Sequence, residues 1–167
     1  MSKQSLRSQM LAARTALAPE ARTAGDAART AALAVLLNGR VAAYLSFGTE
    51  PGTAGLLTPS TLVPVVRPDA DLDWRAYGGG PPLDVTALAA CDVVLVPALA
   101  VDRRGVRLGR GGGSYDRALR RARGLVVALL HEGELVDSLP AEPHDVPVHA
   151  VALPSGILRL RETGLGH

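Results

Sequence analysis

Cysteine, lysine and aromatic residues are scarce in this chain of 167 residues: one cysteine, Cys91; one lysine, Lys3; and five aromatics, counted as one Trp, three Tyr and one Phe. A single cysteine excludes an internal disulfide and a cysteine-built metal site. Cys91 lies in the apolar stretch Ala87 to Val96, which suits a small buried hydrophobe and a reducing compartment. Long apolar runs are missing too. Arginines interrupt every run before Ala31, and Ala31 to Leu37 is only seven residues long. The N-terminus therefore does not read as a signal peptide, and nothing approaches the roughly 20 apolar residues of a membrane span. The expectation is a soluble, cytoplasmic protein with no membrane partner.

What is present is an ordinary globular balance, 47% hydrophobic and 20% charged, which argues against disorder. The length fits one domain, and such a domain buries roughly 70% of the surface its unfolded chain exposes. The net charge is only +2, but it is unevenly spread. Eight arginines fall between Arg103 and Arg123, against two acids, Asp102 and Asp116, in the span Asp102 to Arg123. A block like that attracts anions.

Residues 3 to 17 read as an amphipathic helix, with Leu6, Met10, Ala13 and Leu17 on one face and Lys3, Arg7 and Arg14 off it. Pro19 opens a second helix to about Leu37, ended by Asn38-Gly39. Short apolar runs at Val41 to Ser46, Leu62 to Arg67, Val93 to Val96, Leu125 to Leu130 and His149 to Leu153 read as buried strands, the last closing the set. Ser46 to Gly55 and Pro68 to Pro82 read as loops, and Leu83 to Ala90 and Ser114 to about Arg121 as short helices. Helices alternating with continuously apolar strands predict an α/β fold: three α/β/α layers around a mostly parallel sheet, in a single domain over 1–167.

The segment with the most chemistry is Gly109-Arg110-Gly111-Gly112-Gly113, between the strand at Val93 and the helix at Ser114. Without Cβ atoms, successive backbone N–H groups can turn toward one anion, and the following helix start adds a positive dipole end. Arg107 and Arg110 supply planar forks suited to phosphate oxygens. The pattern is not a dinucleotide fingerprint, because Ser114 stands where a third glycine belongs, nor a Walker loop, because no Gly-Lys-Ser/Thr follows. A flexible turn is the plainer alternative. Asp116 in the first helical turn serves either as a favourable helix-start charge or as a magnesium ligand beside phosphates.

Val96-Pro97-Ala98-Leu99-Ala100-Val101-Asp102, Gly105, and Arg107 through Arg117 together resemble the signature of 5-formyltetrahydrofolate cyclo-ligases. The likeness extends to Lys3-Gln4-Ser5-Leu6-Arg7, to Tyr44-Leu45-Ser46 with Glu50 and Thr53, and to Leu139-Pro140 with His144-Asp145. The resemblance implies ATP- and Mg2+-dependent cyclisation of 5-formyltetrahydrofolate to 5,10-methenyltetrahydrofolate, through phosphorylation of the formyl oxygen. It places ATP against Lys3, Arg7, Arg107, Gly109, Arg110, Gly111, Gly112, Gly113, Ser114 and Tyr115. Folate would meet Leu45, Glu50 and the segment Arg110 to Ser114. Arg110 and Tyr115 would be catalytic, and Asp116 and Asp145 would take the metal. The plain alternatives are an exposed tail lysine for Lys3, a solvated helix face for Arg7, an exposed loop acid for Glu50, a core ring for Tyr115 and turn formation for Asp145.

Three departures from the family pattern stand out. Gly112 occupies a common lysine position, and Ser114 the place of a usual second tyrosine. An Ile-x-Glu-Pro stretch ahead of Val93 is not recognisable; Gly78-Gly79-Gly80-Pro81-Pro82 lies in a shortened region instead. The partners expected are small molecules and no nucleic acid, with a monomeric chain. Two other readings remain, a nucleotide-binding regulator without catalysis and a nucleic-acid-binding module using the arginine block. The second has few aromatics for base stacking.

Overall fold

The computed structural model describes residues 1–162; residues 163–167 of the expected 1–167 domain lie outside that range. Helix α1 (Lys3–Thr15) is capped by Ser2, whose hydroxyl accepts from the Ser5 amide at 3.1 Å. Helix α2 (Pro19–Leu33) begins on proline, with Glu20 in its first turn. It stops at Leu33 rather than Leu37, because Ala34 to Leu36 leave the helix as a turn. There follow β1 (Val41–Ala43), β2 (Leu62–Val66), β3 (Leu72–Ala76), β4 (Val93–Pro97), β5 (Ala100–Asp102) and β6 (Arg107–Leu108). The chain continues through helix α3 (Ser114–Leu119), β7 (Leu125–Leu129), β8 (Leu135–Val136), β9 (Ala150–Leu153) and β10 (Gly156–Arg159). Two 3-10 turns, Ala54–Leu56 and Val85–Ala90, fill the connections.

Seven strands form the main sheet in the order β10-β9-β7-β4-β1-β2-β3. The five inner strands run parallel and the two edges antiparallel. Alternate residues of the inner strands feed opposite cores. Val93, Leu95, Val127 and Leu129 meet Leu33 of α2. Val94, Val96, Val126 and Ala128 meet Ala118 and Leu119 of α3. With both faces covered, neither face of these strands can be polar, which is why they read as unbroken apolar runs. The expected mostly parallel α/β/α arrangement is the one observed.

Two expectations are corrected. Pro68 to Pro82 is not all loop: β3 lies within it, paired to β2 from Val66↔Leu72 to Leu62↔Ala76. Leu72 and Trp74 are buried there while Asp73 and Arg75 turn outward. Two hydrogen bonds from Arg121 to Asp71, at 2.7 and 2.8 Å, hold this hairpin to the segment after α3 and draw the Asp71 carboxyl down to about 2. His149 to Leu153 is also not the last strand, because β10 folds back on β9 through Gly156↔Leu153.

A second sheet, β6-β5-β8, carries α1. Leu6, Met10 and Leu11 pack on Leu99, Ala100, Val106, Leu108 and Leu139. At its centre the buried Asp102 accepts from the amides of Arg104, Val106 and Leu139 at 2.9–3.0 Å and pairs with the Arg104 guanidinium. Burial opposes its charge, but these bonds outweigh it and hold the carboxyl below the ordinary aspartate range.

Arg14 is buried despite its place on the polar side of the predicted helix. It lies off the apolar stripe of α1, yet it is 2% exposed. Its Nε and Nη2 donate to the two Glu134 carboxylate oxygens at 2.8 and 3.0 Å, and Nη2 also donates to the Ala98 carbonyl. The helix is thereby pinned to the residue that follows β4.

Removing one partner of such a buried pair strands the other. Arg14→Met should lower unfolding stability by about 3–5 kcal/mol, measured by urea titration. A second prediction concerns His149, whose Nδ1 accepts from the Val126 amide at 2.9 Å and so must be unprotonated. Burial, then Arg161 and Arg159, lower its pKa. A lowered folded pKa means stability is fully present above the ordinary histidine pKa and is lost as pH falls through the folded value. The thermal midpoint should drop from pH 7.5 to about pH 5, and His149→Gln should make that drop smaller.

Candidate active site

Strand order reverses at β1: β2 lies on one side of it and β4 on the other. Open α/β sheets leave a crevice at the carboxyl ends of strands at such a switch point. A cleft of about 590 Å³ lies here, and its walls include Tyr44 and Leu45 after β1 and Ala98 and Leu99 after β4. Every residue to which the sequence gave a binding, catalytic or metal role also lines it: Lys3, Arg7, Leu45, Glu50, Arg107, Gly109 to Tyr115, Asp116 and Asp145. Five separated stretches of chain thus converge on one space.

The glycine loop is held from outside. Arg7 Nε donates to the Gly109 carbonyl at 2.8 Å, so helix α1 fixes the loop's first turn. Gly111 and Gly113 have φ of +107° and +77°, conformations that other residues rarely adopt. Gly113 is the N-cap of α3, which is only six residues long. A helix this short has a small dipole, so any anion at this loop would depend on loop amides and arginines more than on the helix start.

Arg107 is 8% exposed and donates through Nη1 to the Pro97 carbonyl at 2.9 Å. Its Nη2 lies 3.5 Å from Asp116 Oδ1, and its guanidinium stands 5.8 Å from the Tyr115 ring centre. Burial lowers its pKa, with Asp116 and Tyr115 opposing. The Nε of Arg107 and the hydroxyl of Tyr115 are buried without a hydrogen-bond partner. The Tyr115 ring also packs against both main cores, so the core reading holds for the ring while the hydroxyl is left for another partner. Burial raises the phenol's pKa, which keeps it a neutral donor.

Glu50 is not an exposed loop acid, since its side chain is 6% exposed. Its Oε1 accepts from the Phe47 amide at 3.0 Å, and its Oε2 lies 3.9 Å from Arg110 Nε. Arg110 also stands 5.1 Å over the Phe47 ring. The surrounding loop is fixed by three carbonyl contacts: Tyr44 Oη donates to Pro51 at 2.6 Å, Thr53 Oγ1 to Tyr44 at 2.8 Å, and His131 Nε2 meets Thr49 at 2.8 Å.

Lys3 is not a free tail lysine. Its Nζ lies 3.4 Å from Asp145 Oδ2 and 3.2 Å from Glu142 Oε1. Asp145 does build a turn, accepting from the Glu142 amide at 2.8 Å, and it also faces Asp116 and His144 across the cleft. One ligand atom from each of Asp116, His144 and Asp145 lies within 4.8 Å of the others.

Sequence reasoning missed several lining residues. Phe47 and Glu142 carried no motif, and His144 stood beside Asp145 in the family pattern without a role of its own. Pro64, Val66 and Leu72, from the β2–β3 hairpin, form a wall beside the shortened Gly78–Pro82 region. The alternation Leu72-Asp73-Trp74 was the one signal available for that wall.

A sequence model of the 5-formyltetrahydrofolate cyclo-ligase family matches residues 1–154. This chain belongs to that family. A 5-formyltetrahydrofolate cyclo-ligase of Mycolicibacterium smegmatis is 40% identical, over 96% of this chain and 98% of the relative. The Escherichia coli K12 cyclo-ligase is 42% identical over 44% of this chain and 42% of its own length. Among solved structures, the 5,10-methenyltetrahydrofolate synthetase of Aquifex aeolicus superposes with a TM-score of 0.80 at 25% identity, over 100% of this chain and 97% of that one. The 5,10-methenyltetrahydrofolate synthetase of Mycoplasma pneumoniae shares the fold, with a TM-score of 0.76 at 21% identity over 91% and 98% of the two chains. The likeness runs the length of the cyclo-ligase chain, so it covers the whole cleft and the two sheets that build it. No described helix is long and apolar enough to cross a membrane.

The loop geometry separates two neighbouring glycines. A Cβ on Gly111 requires a strained backbone, whereas a Cβ on Gly112 meets nothing within 4 Å and needs no positive φ. Gly111→Ala should lower unfolding stability by about 1 kcal/mol or more, and Gly112→Ala should leave it within about 0.5 kcal/mol. Urea titration of both variants reads the difference.

Proposed function

We propose that this chain converts 5-formyltetrahydrofolate to 5,10-methenyltetrahydrofolate, with ATP giving ADP and phosphate. The observation that carries the proposal is the meeting of two groups at one loop. Arg110 of the glycine segment touches Glu50 and Phe47, while the same segment runs from Arg107 to Asp116, which faces Asp145. A folate and a nucleotide bound to these groups would share the loop between them.

The chemistry needs placement and charge neutralisation more than a protein nucleophile. Glu50 is a carboxylate acceptor for the adjacent N–H donors of a pterin edge. Leu45 and Phe47, 42% and 66% exposed at the cleft, offer apolar surface to its rings. Lys3, Arg7, Arg107 and the loop amides hold the phosphates. The formyl oxygen attacks the γ-phosphorus and the bond to ADP breaks. N10 then attacks the activated carbon, its proton is lost to solvent, and phosphate leaves with the former formyl oxygen. Arg110 stabilises charge on the oxygen in flight, and the unpartnered Tyr115 hydroxyl donates to the same region. The carboxylates of Asp116 and Asp145 fit a Mg2+ ion, which when bound would neutralise phosphate charge. The cytoplasmic, monomeric protein expected from the sequence suits such a small-molecule enzyme.

Purified protein with Mg2+, ATP and 5-formyltetrahydrofolate should develop the ultraviolet absorbance of the methenyl product. Folded protein that forms none at micromolar concentration would sink the proposal and favour a nucleotide-binding regulator. Asp116→Ala should reduce turnover at least about a hundredfold with the fold intact by circular dichroism. Unchanged turnover with a lowered thermal midpoint would instead make Asp116 a helix-start charge.

A further inference from the structure

We propose that His144 is a third protein ligand to the divalent cation between Asp116 and Asp145, so that the site accepts a first-row transition ion such as Mn2+. The inference rests on the nucleotide-site reading above and adds a nitrogen donor to it.

The other two described histidines that the folded core surrounds are committed. His131 Nε2 meets the Thr49 carbonyl at 2.8 Å, and His149 Nδ1 accepts from Val126. His144 is different. Its Nδ1 lies 3.4 Å from Glu142 Oε2 and its Nε2 3.6 Å from Asp145 Oδ1, and neither contact closes into a hydrogen bond. The ring is half-exposed at the cleft wall, with an unassigned nitrogen beside each acid.

The spacing fits coordination. With metal–ligand bonds of roughly 2.1 Å, adjacent octahedral donors are about 3 Å apart and opposite ones about 4.2 Å. The donor atoms of Asp116, His144 and Asp145 lie within 4.8 Å of one another, so a small contraction completes the set. An independent observation points to an anion beside the same place. Arg107 is buried, lines the cleft 3.5 Å from Asp116, and has an unpartnered Nε. Phosphate oxygens can satisfy that donor and complete the metal's shell. Two carboxylates alone suit Mg2+, whereas an added imidazole favours transition ions. Lys3 at Asp145 and Glu142 occupies part of this negative region until the cation enters.

The test uses the full chain labelled with [15N]histidine, loaded with Mn2+ and ADP. Electron spin-echo modulation should show a coupled 15N nucleus, and His144→Ala should abolish it. The label distinguishes histidine from the 14N of adenine. Mn2+ affinity, followed by the signal of the free ion, should fall about tenfold in His144→Ala, while Mg2+ affinity by displacement should change less than about threefold. Bound Mn2+ without 15N coupling, failure of Mn2+ to bind, or an unchanged Mn2+ titration in His144→Ala each overturns the ligand role. His144 is largely outside the core, so the variant's fold should be intact, and its thermal midpoint checks this. Methenyl formation with Mg2+ in the same preparation separates the two readings. Turnover without coupling removes only the role of His144; absent turnover removes the cyclisation proposal itself.

Discussion

The cleft depends on a buried chain of polar contacts centred on Arg14 and Glu134. Glu134 takes both donors of Arg14 on one side and the His131 amide on the other. His131 continues the chain to the Thr49 carbonyl, one residue from Glu50. Arg14 continues it to Ala98, at the end of β4. One connected network therefore sets the height of α1, with Lys3 and Arg7, against the loop that carries Glu50. A lone buried charge would be costly, whereas a satisfied network is stiff and geometrically specific. Arg14 and Ala98 also reach the cleft wall, and the network fixes how far apart the two halves of the site stand.

That dependence explains why the fold is only partly legible in the sequence. The inner strands around Val94 and Val127 declare themselves because both faces are buried and the apolar run is unbroken. β3 hides because only Leu72 and Trp74 turn inward, and the surrounding polar and glycine-rich residues dominate the window. β6 and β8 are two residues each, too short for any period to register. Arg14 is the sharpest case. Its position off the apolar stripe says solvent, and only Glu134, far along the chain, makes burial tolerable.

Much of the site was more legible than the fold. The glycine segment, Glu50, Lys3 and Asp145 are separated by tens of residues but belong to one family pattern, and the structure lines one cleft with them. Phe47 carries no comparable signal, and His144 stands in the pattern only as the neighbour of Asp145. Their places follow from Arg110 reaching over the Phe47 ring and from the 144–145 turn facing α3, relations that no spacing encodes. The β2–β3 hairpin lines the cleft through Pro64, Val66 and Leu72, a contribution that no motif marks.

The ion pairs across the cleft have one more consequence. Lys3 is matched to Glu142 and Asp145, Arg107 to Asp116, and Arg110 to Glu50. Entry of a ligand is then an exchange of partners. A bare polyanion would draw off the basic groups and leave the acids uncompensated. A bare cation would do the reverse. Only a ligand carrying both signs, a phosphate chain together with its counter-cation, re-pairs both sets at once. Such reciprocal pairing favours a ligand whose two signs balance over either charged part alone.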